Sequence, residues 1–68
     1  MTSESVKNLL RIGTNLNIGG AYPAEIVKDF IRIASNNGCH ITLNGSNYSV
    51  EILKDFARIG GKNITIIL

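Results

Sequence analysis

The chain has 68 residues, enough for only one domain, and a core of this size buries a modest share of the surface. Hydrophobic residues make up 44% and charged residues 18% of the chain, which is typical of a folded rather than a disordered protein. The net charge of +2 is too small to indicate a nucleic-acid partner, the single cysteine excludes an intrachain disulfide framework, and no apolar run approaches the roughly 20 residues that cross a bilayer. Residues 1–5 lack the features of a secretory signal, so we expect a soluble, cytoplasmic protein with no membrane contact.

The first predicted element is a helix that begins near Ser3 and ends by Gly13. Its segment 6–12 matches segment 27–33 at a Val, a Lys, an Arg and an Ile, so it is the most divergent of three related copies. An alternating segment, Leu16-Asn17-Ile18, follows and predicts a strand. The first copy is therefore a helix followed by a strand.

The second and third copies share a nine-residue segment, 25–33 and 51–59, with seven identical positions at a spacing of 26. A fixed-period match in so short a chain is typical of tandem repeats, in which one supersecondary unit stacks on copies of itself. We therefore predict a single domain, residues 1–68, with repeat units at about 3–20, 22–45 and 48–68.

Both later helices have residues typical of helix starts and ends, and each has one apolar face. Pro23 and Ser49 suit helix starts near 22–24 and 48–50, and Asn36-Asn37-Gly38 and Gly60-Gly61 suit helix ends. The apolar positions of each helix follow the spacing of one buried stripe. The stripes are Ile26, Val27, Phe30, Ile31 and Ala34 in the second helix, and Ile52, Leu53, Phe56 and Ala57 in the third.

The strands alternate in a one-sided way, which predicts a sheet covered on one face only. Parallel strands in the order 1-2-3 place their helices on the same side. We predict an α/β fold of two layers, a half-solenoid with three helices on one face of a three-stranded parallel sheet. The residues directed to the core are Leu16, Ile18, Ile41, Leu43, Ile64, Ile66 and Leu68, and those on the open face are Asn17, His40, Thr42, Asn44, Asn63 and Thr65, with Ile67 as the apolar exception.

The layout resembles that of leucine-rich-repeat proteins, which also stack strand-and-helix units of about 20–29 residues with one sheet face open. That family carries an asparagine at a set distance after the strand, where this chain has Ala21 and Ser46. The resemblance therefore concerns architecture, and we do not assign the chain to that family.

The C-terminal strand is the candidate interaction site. Residues Ile64, Thr65, Ile66, Ile67 and Leu68 are apolar or β-branched and would form an unpaired sheet edge. A two-fold related copy could pair with this edge and extend the sheet, so we predict a homodimer and allow for a further, unidentified protein partner. The alternative is a short edge guarded by Lys62 and the terminal carboxylate.

Six basic residues fall at matching places in the three helices and would align into a band on the helix layer. They are Lys7, Arg11, Lys28, Arg32, Lys54 and Arg58. Acidic residues three positions before most of them favour a solvated outer face with local ion pairs. The alternative is a weak anion or nucleic-acid binder, although a nucleic-acid partner is not what we expect.

Catalytic chemistry is poorly represented. Cys39 and His40 are adjacent in the second strand, so their side chains point to opposite faces and cannot act together, and the chain has no other cysteine or histidine. Glycines in the turns before the second and third helices, at 19–20 and 45, are explained by tight turns, without a phosphate-binding motif. We predict a small non-enzymatic protein-interaction module with no catalytic residues, no metal and no cofactor; an enzyme using His40 or Cys39 is the least favoured alternative.

Overall fold

A computed structural model of the chain describes residues 2–68. Helices and strands alternate along these residues. In chain order the elements are α1 (Ser3–Ile12), β1 (Leu16–Gly19), α2 (Ala24–Asn37), β2 (Ile41–Asn44), α3 (Val50–Gly60), a 3-10 turn (Gly61–Asn63) and β3 (Ile64–Ile67). The helix starts and ends agree with those predicted from the sequence.

Local chemistry explains the helix boundaries. The Ser49 hydroxyl accepts a hydrogen bond from the backbone N–H of Ile52 at the start of α3, and Thr2 does the same for Ser5 at the start of α1. Gly13 and Gly38 follow α1 and α2 with φ of 102° and 70°, in the left-handed region that a residue with a side chain rarely adopts. Each helix therefore ends where the sequence offers a glycine.

The three strands form a parallel sheet in the order β1-β2-β3. In register across it lie Leu16, Ile41 and Ile64, and then Asn17, Thr42 and Thr65. Adjacent helices contact each other in the order α1, α2, α3 on the covered face. The predicted fold, with two layers and all helices on one side, is confirmed.

The core lies between the sheet and the helices. Its fully buried side chains include Phe30, Phe56, Ile41 and Leu43. Phe30 packs edge-on against Tyr22, and Phe56 packs edge-on against Tyr48, with 5.1 Å between the ring centres in both pairs. The repeat in the sequence is therefore a repeat of side-chain packing as well.

Two side chains assigned to the core lie outside it. Leu68 follows the last residue of β3, and its side chain is 91% exposed. Ala57 is exposed because, within residues 2–68, no helix packs on the outer side of α3. The prediction at Ala57 was wrong because helix periodicity assumes a neighbouring unit that the described residues do not supply. The prediction at Leu68 was wrong because β3 ends at Ile67, so the alternation of the strand does not extend to this residue.

Candidate interaction surface

The outer edge of β3 presents backbone hydrogen-bonding groups. The carbonyl oxygen of Ile67 accepts a hydrogen bond of 2.8 Å from the N–H of Gly45, so the backbone groups of Ile67 face β2. Because these groups alternate along a strand, those of Ile64 and Ile66 face the opposite edge. No strand lies beyond that edge in residues 2–68. This is the type of edge to which another strand can add.

Exposed large apolar side chains concentrate at this end of the molecule. Val50 at the start of α3 is 67% exposed and Ile67 in β3 is 53% exposed, and Leu68 follows directly. The remaining large apolar residue exposed to this degree in the described part is Ile12, at the other end of the stack. We call Val50, Leu53, Lys54 and Ala57 on α3, together with β3, the C-terminal end face.

The open face of the sheet is polar, as predicted. Thr65 shares a hydrogen bond with His40, with 2.6 Å between Oγ1 and Nε2. Asn63 donates a side-chain hydrogen bond to the carbonyl oxygen of Cys39, and Asn15 accepts one from the N–H of His40 at 2.7 Å. The role of Asn15 was not identified in the sequence, because its partner His40 is distant along the chain. These bonds hold neighbouring strands together at the start of the sheet.

The predicted basic band forms a ladder of ion pairs. Within each helix the acidic residue lies three positions before its basic partner, as in the Arg32–Asp29 pair at 3.0 Å. The ladder also crosses between helices, since Lys7 Nζ lies 4.0 Å from Asp29 and Lys28 Nζ lies 3.8 Å from Asp55. All five acidic residues of the chain, Glu4, Glu25, Asp29, Glu51 and Asp55, have a basic partner within 4.0 Å.

Two members of the band differ from the rest. Arg11 hydrogen-bonds the side-chain oxygen of Asn8 at 3.0 Å, because Asn8 stands where the other helices have an aspartate. Lys54 contacts Glu51 of its own helix and has no following helix within the described residues. Exposed pairs of this kind contribute little stability, and they neutralise most of the charge that an anion would need.

Cys39 and Tyr48 lie in the connections outside the strands. The Cys39 thiol is buried, with its sulfur near the carbonyl oxygens of Leu10 and Ala34, so it packs in the core as a small side chain. Burial raises the pKa of the Tyr48 hydroxyl, which donates a hydrogen bond to the carbonyl oxygen of Tyr22. This bond joins the second and third units.

The surface formed by residues 2–68 has no pocket, and no three of its histidine, cysteine, aspartate or glutamate side chains cluster as metal ligands would. None of its helices combines the length and the apolar character that a membrane crossing requires. Comparison of the chain with protein-family models, curated proteins and solved structures found no match.

Proposed function

We propose that this chain is a small non-enzymatic protein-interaction module that associates with a second copy of itself through β3. One observation supports this proposal most directly. An unpaired sheet edge and the exposed apolar side chains of Val50 and Ile67 lie at the same end of the molecule. Pairing two such edges would continue the sheet and bring the exposed apolar side chains of the two copies close to one another.

The size of the molecule also favours association. A fold of 68 residues has an unfolding free energy of about 3–10 kcal/mol, on the usual scale of 0.05–0.15 kcal/mol per residue. Burial of an additional apolar surface on dimer formation adds to that small margin. The lone, buried Cys39 fits a reducing compartment, and we place the protein in the cytoplasm.

The open polar face of the sheet is the competing surface for a protein partner, and two lysine substitutions separate the surfaces. Ile67→Lys places a charge on the edge strand, where lysine commonly prevents edge pairing. Thr42→Lys places the same charge on the same face of the central strand, which leaves the edge unchanged.

Sedimentation velocity over a wide concentration range measures the outcome. We expect the unchanged chain and Thr42→Lys to form dimers, and Ile67→Lys to remain monomeric while its circular dichroism spectrum stays that of the folded protein. An unchanged chain that is strictly monomeric at high micromolar concentration would refute the proposal. Loss of association in Thr42→Lys alone would move the contact to the open face.

A further inference from the structure

The two sides of each helix have separate roles in the stack. On α2, Asp29 faces α1, where it meets Lys7, and Lys28 faces α3, where it meets Asp55. Residues three or four positions apart share a helix face, so Ile26 lies with Asp29, and Ile31 lies with Lys28. A methyl group of Ile31 indeed approaches Gly60 of α3. The corresponding positions on α1 and α3 therefore show what each end of the stack presents.

The C-terminal end face retains the positions that a further unit would cover. The side chains of Lys7 and Lys28, each next to a following helix, are 20% exposed, whereas that of Lys54 is 55% exposed. Val27 and Ile31 are buried, but their counterparts Leu53 and Ala57 are not. Within residues 2–68, this end is a repeat surface on which no further unit packs.

In the helix layer the N-terminal end differs from the C-terminal end, although β1 is also an edge strand of the sheet. The α1 residues that correspond to Ile26 and Asp29 are Ser5 and Asn8, and both are exposed. Within residues 2–68, the exposed large apolar residue on this side is Ile12. Terminal repeats of stacked proteins carry such polar substitutions because their outer side meets water. A second copy stacked head to tail would bring Lys54 against Asn8, without the carboxylate that the two internal contacts have.

The charge order of α3 fits an antiparallel neighbour. Glu51, Lys54 and Arg58 follow one stripe of the helix, with the acid in its first turn and Arg58 in its last. A two-fold axis that crosses the middle of α3 places each Glu51 opposite Arg58 of the other copy and sets the helix dipoles antiparallel. The two Lys54 side chains then lie near the axis, and each keeps its own Glu51 contact.

We infer that a second copy covers the whole C-terminal end face, α3 as well as β3, with the two α3 helices antiparallel, and that α1 caps the opposite end so that association stops at two copies. This inference rests on the proposed self-association. It adds that α3 takes part in the contact, that the two α3 helices are antiparallel, and that association stops at a dimer. Strand pairing by itself requires none of these three features.

Ala57→Lys and Ser5→Lys form a matched pair that tests the two ends. Both positions are exposed helix sites, and lysine is a good helix former, so both variants should fold. We expect Ala57→Lys to weaken dimer formation about tenfold or more, because its charge would be covered, and Ser5→Lys to leave it unchanged. The unchanged chain should reach the mass of a dimer and no more.

A mixing experiment tests the orientation. Glu51→Lys and Arg58→Glu each place like charges opposite one another in a two-fold dimer, so each is expected to associate about tenfold more weakly than the unchanged chain. A mixture of the two variants restores opposite charges at both contacts and should form a heterodimer. Circular dichroism of each variant monitors the helix, since both changes also alter an ion pair within α3.

The results distinguish the inference from the proposed function. A dimer that survives Ala57→Lys but not Ile67→Lys would leave strand pairing intact and overturn the role of α3. Equal weakening by Ser5→Lys, or a mass above that of a dimer, would overturn the capping of α1, and a mixture without heterodimers would overturn the antiparallel orientation. A strictly monomeric unchanged chain would remove the proposed function and this inference together.

Discussion

Gly60→Ala should destabilise this protein although alanine is the better helix former. Gly60 is the last residue of α3 and has φ of −92° and ψ of −33°, a conformation that any residue adopts. A glycine-to-alanine change in a helix would ordinarily stabilise the fold by about 1 kcal/mol. The outcome therefore depends on the space around the new methyl group.

That space is occupied by two other side chains. A Cβ at position 60 would lie 2.6 Å from the γ2 methyl of Ile64 and 2.8 Å from that of Ile31. These methyl groups branch directly from Cβ, so their positions are tied to the backbones of β3 and α2. Overpacking of this kind costs about 1–3 kcal/mol, and two simultaneous clashes favour the upper end. After the gain in helix propensity, the expected net loss is about 2 kcal/mol.

Urea unfolding followed by circular dichroism, extrapolated linearly to water, measures this loss. Ala57→Gly, measured at a protein concentration low enough to keep the chain monomeric, is the control for helix propensity. The site is exposed in the same helix, so this variant should lose about 1 kcal/mol of unfolding free energy. Ile31→Leu in the Gly60→Ala background should recover part of the stability, since leucine has no γ2 methyl. In α1 the position equivalent to Ile31 is already a leucine, Leu10. The carbonyl oxygens of Leu10 and Ala34 both lie near the sulfur of Cys39. If the Gly60→Ala variant is as stable as the unchanged chain, then Ile31 and Ile64 do not pack closely against Gly60.

Further predictions concern the core and its ionisable groups. Phe30→Ala and Phe56→Ala should each cost about 3–5 kcal/mol, because both rings are fully buried, and urea unfolding giving near-zero effects would place the rings outside the core. Burial raises the pKa of Tyr48, so the unfolded chain loses this proton first as pH rises, and the unfolding free energy should fall above about pH 10. The fall should be less steep in Tyr48→Phe. Equal slopes for the two chains in a pH titration of stability would contradict this prediction. Cys39 should react with a thiol reagent only after urea unfolds the chain, and rapid labelling of the native protein would show that the thiol is accessible.

The repeat explains why so much of the fold could be predicted. The copies at 25–33 and 51–59 repeat the same helix periodicity, and glycines mark the helix ends, so the order of elements and the parallel sheet follow from local patterns and connection rules. Predictions of burial were wrong at Leu68 and Ala57. Ala57 is at the end of the stack, where a periodic pattern does not reveal whether a neighbour is present, and Leu68 lies beyond the last residue of β3.

The candidate site was predictable only in part. An apolar, β-branched final strand at a sheet edge can be identified from residues 64–67, but the exposure of Val50 and Lys54 beside it requires the packing of α3. The ion pairs within helices follow from a spacing of three residues. The pairs from Lys7 to Asp29 and from Lys28 to Asp55 depend on the distance between helices, and sequence spacing carries no information about that distance.

The amino-acid sequence by itself determined the helices, the strands, the side of the sheet that is apolar and the identity of the repeating unit. These properties depend on periodicity and on residues adjacent in the chain. Only the tertiary structure decided which copies of the same position are buried, as in Ile31 against Ala57, and where one helix reaches the next. The physical reason is that the burial of a side chain depends on the surface packed against it. Two closely similar segments therefore differ when one has a neighbouring helix on both sides and the other has one on a single side only.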